Sequence, residues 1–237
     1  MTKIFYYLIK IFDKQTEEKI QNKICGLLGN QISLLVDIGF YLGEYYLNLN
    51  KKIQINKVIG FEPNPETYKK VKKKFYLNNK VEILNFALGE ENSIKDFNIN
   101  FEPSSSSFNS IDLSSNYLKK KNRILNFFGF KKINKSIPIQ VKTLKEIFNK
   151  YNIEEIDLIK IDTEGYEFKI IKGLNSEINK VKIIHLEHHY DNMLIKNYKF
   201  SDVHNYLILK NFKKFFKIKM KFRKSFEYIY INKNYFN

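Results

Sequence analysis

The chain has 237 residues, of which 43% are hydrophobic and 16% aromatic, and its 41 basic and 25 acidic residues give a formal net charge of +16. This apolar content excludes a disordered polycation, and the length suits one large domain with its own core. No apolar run reaches the roughly 20 residues of a membrane span, so we expect neither a span nor a signal peptide. A single cysteine, Cys25, excludes internal disulfides and favours a cytoplasmic protein.

The first predicted element is a helical segment over residues 1–30, which precedes a main domain over 31–237. Apolar residues recur there at helical spacing, and Gly29 is a plausible stop. Residues 1–14 mix aromatic and aliphatic side chains with lysines. Two interpretations stay open for this helix: packing on its own domain, and peripheral contact with a membrane surface.

Short apolar runs, most of them ending in an acid, alternate with helical patterns through the rest of the chain. The runs are 33–38, 57–62, 81–86, 156–161 and 181–187, and the helices are predicted at 65–78, 144–151, 164–172 and 201–211. Two alternating segments, 215–222 and 226–231, indicate strands near the C-terminus. The pattern predicts an α/β fold of the Rossmann-like, doubly wound type, with helices on both faces of a mostly parallel sheet and the ligand site at the carboxyl ends of the strands.

The middle of the chain departs from this pattern. A predicted exposed strand over 96–101 is followed by Pro103 and the serine run 104–107, which open a polar insertion at about 102–136. A serine run is typical of a flexible loop. A loop of this length inside a compact domain is also typical of a lid or of substrate contacts, so both interpretations stay open.

The first candidate site follows strand 33–38, where Asp37, Gly39 and Gly43 form a turn. Glu62, at the end of the next strand, follows Gly43 by 19 residues, close to the roughly 20 expected for an acid that binds a ribose. The turn lacks the G-x-G-x-x-G spacing that suits a pyrophosphate. A cofactor with a ribose but no phosphate fits better, and S-adenosylmethionine is the common one. The alternative is an ordinary strand-to-helix turn.

The second candidate site combines two later strand ends. Asp162 ends the strand 156–161, and Glu187 and His188 end the strand 181–187. Strand alternation puts His185 and Glu187 on one face and His188 on the other until the strand ends. Asp162 with Glu187 or His188 could form a general base, and the same three residues could hold a divalent cation such as Mg²⁺ or Mn²⁺.

These motifs together resemble the FkbM-type methyltransferases. They are Val36-Asp-Ile-Gly39, Gly43-Glu-Tyr45, Gly60-Phe-Glu-Pro-Asn-Pro65, Ala87-Leu-Gly89, Ile156-Asp-Leu-Ile-Lys-Ile-Asp-Thr-Glu-Gly-Tyr-Glu167 and Leu186-Glu-His-His189. The resemblance implies a class I S-adenosylmethionine-dependent fold. It also implies that Asp37, Gly39 and Gly43 line the methionine end of the cofactor, that Glu62 binds the ribose, and that Asn85 and Ala87 lie on the adenine side. Bulky Phe40 and Tyr41 depart from the family pattern and could crowd the methionine end.

The resemblance implies O-methylation of a sugar, glycan or related small metabolite. Three alternatives stay open: a catalytically silent cofactor-binding protein, a protein that binds polyanions or membrane surfaces, and a nucleic-acid methyltransferase. The last is disfavoured, because all but two of the basic residues are lysine and no Asp/Asn-Pro-Pro-aromatic string follows the strand at 156–161. The oligomeric state is not predicted.

The charge is concentrated in two patches. Residues 119–135 contain seven basic residues and no acid, and residues 210–224 contain eight and no acid. The first patch lies in the insertion, which favours an acceptor that carries phosphate or carboxylate. The second lies on a predicted strand, where lysines commonly protect a sheet edge from aggregation.

Overall fold

The structure is a computed structural model that describes residues 2–99, 106–109, 115, 135–191, 194–221 and 223–236, with the side chains of the first helix described from Phe12 onward. Most of the insertion predicted at about 102–136, including nearly all of its basic patch, lies outside these residues. The membrane-contact hypothesis for residues 1–14 also falls largely outside the described side chains. Within the described residues, no helix combines the length and apolar character needed to cross a membrane.

The described elements alternate much as the sequence predicts. The helices are α1 Thr2–Leu28, α2 Glu44–Leu49, α3 Pro65–Lys74, α4 Leu144–Lys150, α5 Glu167–Lys172 and α6 Phe200–Leu209, with a 3₁₀ helix at Asn175–Lys180. The strands are β1 Gln31–Ile38, β2 Gln54–Phe61, β3 Val81–Leu84, β4 Ala87–Gly89, β5 Ser93–Ile99, β6 Lys135–Thr143, β7 Ile156–Ile161, β8 Val181–His189, β9 Phe212–Lys219 and β10 Ser225–Asn232.

Seven strands form the central sheet in the order β3-β2-β1-β7-β8-β10-β9. The first five run parallel, whereas β10 pairs antiparallel with β8 and β9 antiparallel with β10. The sheet is hydrophobic on both faces, and each face belongs to a separate buried cluster. This confirms the predicted Rossmann-like fold with its C-terminal antiparallel strand.

The N-terminal helix α1 covers one face of the sheet. Ile20 and Ile24 on α1 are buried in the same cluster as Leu35, Leu158 and Ile183 of the central strands. The described part of α1 therefore packs on its own domain, because its apolar stripe faces the sheet.

Two local features differ from the sequence prediction. Strands β4, β6 and β5 form a separate three-stranded sheet beside the central one. The helix predicted from 164 begins only at Glu167, because Glu164 and Gly165 adopt positive φ angles of 51° and 91°. The loop between β7 and α5 is thus longer than predicted, and it borders the candidate site.

Candidate functional site

The turn after β1 brings three strand ends into close contact. Gly39 adopts a φ of +88°, and a Cβ added there would collide with the backbone carbonyl of Asp162. The amides of Gly39 and Phe40 both donate to the Phe61 carbonyl, at 3.1 and 2.9 Å. Only glycine combines this positive φ with the absence of a Cβ atom, so only glycine fits here without strain. The sequence therefore folds here so that the ends of β1, β2 and β7 border one cleft.

Phe40 does not crowd this cleft. Its ring is buried beneath Gly43 and Gly60, where a Cβ at either glycine would collide with it, and it packs edge-on against Phe75 with ring centroids 5.7 Å apart. Tyr41, with a φ of 48°, turns the chain back to line the cleft. Of the two bulky residues that depart from the family pattern, one belongs to the core and one to the cleft wall.

Glu62 is held in a fixed orientation at the end of β2. Its two carboxylate oxygens accept hydrogen bonds from the amides of Tyr41 and Asn64, each at 2.9 Å. Burial raises the pKa of Glu62 to about 7, although both amide hydrogen bonds act to lower it. A buried, oriented carboxylate in a cleft can accept hydrogen bonds from the two hydroxyl groups of a ribose.

The cleft at these strand ends is open to solvent on one side. Four predicted site residues line it: Gly39, Glu62, Ala87 and Asp162. Asn85 supports the wall instead, since its side-chain amide donates to the backbone carbonyls of Glu62 and Pro63, at 2.8 and 3.1 Å. The remaining wall includes apolar side chains of several strands and loops, namely Ile38, Phe61, Leu88, Phe97, Phe108 and Ile170.

Asp37 lies immediately before the lining residues and faces the α1 side of the sheet. It is fully buried, and its Oδ2 atom accepts no hydrogen bond within the described part of the chain. Burial raises its pKa to about 8, opposed by the nearby Lys160 ammonium and reinforced by Asp162. A buried acid without a hydrogen-bond donor beside the cleft suits a cofactor that brings one, such as the amino group of S-adenosylmethionine.

A row of charged residues crosses the sheet beside Asp37. Lys160 lies opposite Asp37 on β1 and His185 on β8, and its ammonium group is 3.6 Å from Asp162 and 3.4 Å from Glu227. Burial alone would lower the pKa of Lys160, but the neighbouring carboxylates raise it. Lys160 is therefore a buried cation that balances the acids around it.

The buried row continues away from the cleft. The Nε2 atom of His185 is hydrogen-bonded to the Glu227 carboxylate at 2.8 Å, and its Nδ1 atom lies 2.9 Å from the Tyr45 hydroxyl. Burial, with the Lys160 charge, lowers the pKa of His185. His185 is thus a hydrogen-bonded residue of the core rather than part of the cleft wall.

Asp162 and Glu187 end adjacent strands on the same face of the sheet. Ile161 pairs with Leu186, so the next residues, Asp162 and Glu187, follow side by side. Burial raises the pKa of Glu187, and the negative charge of Asp162 adds to the rise. The structure thus brings these two predicted catalytic carboxylates together at the carboxyl edge of the sheet.

His188 lies on the opposite face of β8 from Glu187. Its ring packs against Tyr190, Tyr198 and Phe200, and burial lowers its pKa to about 3. The predicted grouping of His188 with Asp162 and Glu187 is therefore not formed. Among the described residues, no three histidine, cysteine or acidic side chains are arranged to hold a metal ion.

His189 occupies the position that the sequence prediction gave to His188. Its Nε2 atom is 3.3 Å from Glu164 and 3.4 Å from Glu187, and its Nδ1 atom is 3.5 Å from Asp191. Burial would lower its pKa, but these carboxylates raise it to about 10. The signal for His189 was the Glu-x-His alternation, which becomes informative once β8 is known to continue to residue 189.

The start of the insertion is fastened to the loop after β7. The backbone carbonyl of Glu164 accepts hydrogen bonds from the Ser107 hydroxyl at 2.9 Å and the Asn109 side-chain amide at 3.0 Å. Phe108 packs between Phe97 and Tyr166, with ring centroids 5.0 and 4.9 Å away. The described part of the serine run therefore packs against the loop that borders the site.

Comparisons with known proteins agree with this geometry. Residues 37–216 match the Methyltransferase FkbM domain. The 2-O-methyltransferase NoeI of Sinorhizobium fredii is 25% identical over 175 residues, which cover 72% of this chain and 69% of NoeI. The methyltransferase sdnD of Sordaria araneosa is 23% identical over 193 residues, which cover 73% of each chain.

A solved structure shares the fold. The magnesium protoporphyrin IX methyltransferase of Synechocystis PCC 6803, solved with bound S-adenosylmethionine, superposes with a TM-score of 0.53 at 9% identity. The match covers 94% of this chain and 81% of that one. At this identity the likeness establishes the class I methyltransferase fold alone.

Proposed function

The chain belongs to the FkbM family of S-adenosylmethionine-dependent methyltransferases, and from this premise we propose that it methylates a hydroxyl oxygen of a sugar, glycan or related metabolite. The observation that carries the proposal is the pair of carboxylates, Asp162 and Glu187, side by side at the carboxyl edge of the sheet. A hydroxyl group is a poor acid, so its methylation is helped by a nearby base. The name of the S. fredii relative, a 2-O-methyltransferase, supports oxygen as the accepting atom.

The cofactor would occupy the cleft between residues that follow β1 and β2 and the first residue of β4. Glu62 would bind the ribose hydroxyls, Gly39 and Tyr41 would border the methionine end, and Ala87 would lie on the adenine side. Asp37 would receive the amino group, which supplies the missing hydrogen-bond donor. When bound, S-adenosylmethionine supplies a methyl group on a positively charged sulfur.

The protein then has two tasks, alignment and proton removal. Alignment of the acceptor oxygen with the methyl carbon converts a bimolecular reaction into a step within one complex. Asp162, which is 40% exposed at its side chain, is the carboxylate that an acceptor in the cleft can reach. It would take the proton with Glu187 beside it, and such a base contributes about 10²–10⁴ in rate.

The acceptor class is tested by label transfer. The protein is incubated with methyl-labelled S-adenosylmethionine and a fractionated extract of its source organism, and each fraction is counted. We expect label in carbohydrate or small-metabolite fractions, in alkali-stable ether linkage. Label in nucleic acid, or cofactor binding without transfer to any fraction, would contradict the proposal.

The same transfer experiment also tests the predicted divalent cation and the predicted anionic acceptor, each in a separate set of reactions. Repeating the transfer with chelator, and then with Mg²⁺ or Mn²⁺ restored, measures whether a divalent cation contributes. Raising the salt concentration measures whether the acceptor is anionic, as the basic patch at 119–135 predicts, because transfer to an anionic acceptor weakens as salt rises.

A further inference from the structure

Two segments outside the family-matched residues 37–216 meet beside the site. Asp13 of α1 and Arg223, in the turn between β9 and β10, form an ion pair with Nη2 and Oδ2 2.7 Å apart. Next to this pair, the Lys221 ammonium lies 4.1 Å from the centroid of the Phe12 ring. The N-terminal helix and the C-terminal hairpin are thus joined by two adjacent contacts.

The sheet register locates this junction at the carboxyl edge of β8. Ser225 pairs with His189, so Arg223, two residues earlier, lies just beyond the end of that strand. The Tyr190 amide donates to the Lys224 carbonyl at 2.6 Å and fixes the turn there. The ion pair with Asp13 places the Arg223 side chain on the face of the sheet that α1 covers.

Arg223 faces the acids of the site. Burial alone would lower its pKa, but the carboxylates of Asp13, Glu187, Glu164 and Asp162 together raise it. The Arg223 side chain is nevertheless 42% exposed. Arg223 therefore brings a partly exposed group of hydrogen-bond donors to the side of the site where Glu187, Glu164 and Asp162 lie.

This arrangement distinguishes between kinds of acceptor. A guanidinium only donates hydrogen bonds and an ionised carboxylate only accepts them. Neighbouring hydroxyl groups of a sugar can accept from the first and donate to the second at once. A phosphate or carboxylate at Arg223 would also be attracted by the neighbouring Lys221 and Lys224, but it would meet the repulsion of the carboxylates of Glu187, Glu164 and Asp162.

We propose that Arg223, held in place by Asp13, is an acceptor-binding residue that recognises neighbouring hydroxyl groups of the sugar unit that is methylated. That unit is uncharged, and an anionic group that the basic patch at 119–135 binds lies elsewhere on the acceptor. The inference rests on the proposed methyl transfer to a hydroxyl and adds a specificity determinant from outside the family domain. The alternative is that the ion pair only anchors α1 to the hairpin. The two differ in what they require of residue 223, because an anchor needs a cation and a sugar site needs the planar fork of donors.

The first test uses Arg223→Lys and Arg223→Gln with the carbohydrate fraction that takes up label. We expect Arg223→Lys to keep the melting temperature, because the cation remains, but to raise KM for the acceptor about tenfold, and Arg223→Gln to raise it by about tenfold to a hundredfold. The Kd of S-adenosylhomocysteine should stay within about twofold, since Arg223 is not among the residues that line the cofactor cleft. Lys224→Gln is the matched control, because it removes one positive charge from the same turn and leaves the Arg223 guanidinium in place.

The second test observes the guanidinium directly. The sequence has two arginines, Arg123 and Arg223, so ¹⁵N-arginine labelling gives two side-chain Nε signals, and Arg223→Lys assigns them. Addition of the label-accepting fraction to the protein bound to S-adenosylhomocysteine should shift the Arg223 signal. Glucose 1-phosphate at the same concentration as glucose should not shift it more than glucose does.

The outcomes separate the two proposals. Absence of label from every carbohydrate and metabolite fraction would defeat the proposed function and this inference with it. Label in carbohydrate, with the Arg223 signal unmoved and an unchanged KM in Arg223→Lys, would leave the proposed function standing and reduce the ion pair to an anchor. If only glucose 1-phosphate shifted the Arg223 signal, the inference that Arg223 recognises an uncharged sugar unit would be overturned.

Discussion

The ammonium group of Lys160 lies 3.6 Å from the Asp162 carboxylate and joins the interior of the sheet to its exposed edge. Lys160 is 5% exposed, and Glu227 on its other side is 7% exposed. The buried cation thus sits between an acid that borders the cleft and an acid of the core. Removal of one member of a buried charge group is costly because its partners stay buried without compensation.

Lys160→Met is therefore expected to lower the free energy of unfolding by about 3–5 kcal/mol, measured by urea denaturation. Lys182→Met is the matched control, because Lys182 pairs with Glu155 and Asp157 but is 25% exposed, and such a pair contributes about 1 kcal/mol or less. Equal losses in the two variants would show that burial of Lys160 does not set its contribution.

The two ends of β7 offer a matched pair of acids for testing catalysis. Asp162 borders the cleft, whereas Asp157, at the other end, accepts hydrogen bonds from the amides of Ser33 and Leu34, at 2.6 and 3.1 Å. We expect Asp162→Asn to lower kcat by about 10²–10⁴ with a limited loss of stability, because the Asp162 side chain is 40% exposed and Lys160 keeps Glu227 as a partner. Asp157→Asn should do the reverse, lowering the melting temperature while folded protein keeps its kcat. If Asp162→Asn retained full turnover, the assignment of the base would be wrong.

Two glycines can be compared, one that the backbone conformation and the available space require and one that only weakens a helix. Gly39 combines a positive φ with a site where a Cβ would meet the Asp162 carbonyl, whereas Gly26, within α1, has nothing within 4 Å of its Cβ position. Gly39→Ala should cost about 1–3 kcal/mol from backbone strain alone and weaken S-adenosylhomocysteine binding, because the ends of β1 and β7 must move apart. Gly26→Ala should stabilise by about 0.5–1 kcal/mol. Calorimetric titration and thermal unfolding of both variants measure this contrast.

The parts of the site that depend on strand ends follow from the sequence. Asp162 and Glu187 each end an apolar run, and carboxyl ends of parallel strands meet at one edge, so their proximity could be predicted without the structure. The cofactor residues Gly39 and Glu62 could be predicted for the same reason. Features that are local in the chain, or that recur in every strand of a parallel sheet, could therefore be predicted from the sequence.

The sequence could not predict that His189, rather than His188, lies beside Glu187. The cause is the pairing of Ser225 with His189, which extends β8 by two residues beyond Glu187 through a strand far away in sequence. The ion pair between Asp13 and Arg223 joins opposite ends of the chain, and no periodicity in either segment indicates it. Long-range pairing of this kind leaves no local pattern to interpret.

Phe40 is a further case in which side-chain direction decides the outcome. The sequence suggested crowding of the cofactor, but the ring fills space left by Gly43 and Gly60. Phe40→Ala should therefore cost about 3–5 kcal/mol of stability without improving the affinity for S-adenosylhomocysteine. Tyr41→Ala, which alters the cleft wall, should change that affinity with a smaller effect on stability. Tighter cofactor binding by a folded Phe40→Ala would restore the crowding hypothesis.

Glu62 should make cofactor binding depend on pH around neutrality. Burial raises its pKa to about 7, so the carboxylate form needed to accept from both ribose hydroxyls is a minor species at pH 6 and the major one at pH 8. One pKa unit corresponds to a factor of ten in the ratio of the two forms, so the Kd of S-adenosylhomocysteine should be about tenfold weaker at pH 6 than at pH 8. The sign is fixed, because binding that needs the ionised acid strengthens as pH rises through the pKa and then levels off.

The matched variant is Glu62→Gln, which keeps the size of the side chain but cannot ionise. Its Kd should be weaker than that of the wild type at pH 8 and should lack the wild type's extra tenfold change between pH 6 and pH 8. Asp37, with a pKa raised to about 8, titrates in both proteins, so only the difference between their profiles reports on Glu62. Calorimetric titrations at half-unit pH intervals measure that difference, and parallel profiles would mean that Glu62 does not bind the ribose in its ionised form.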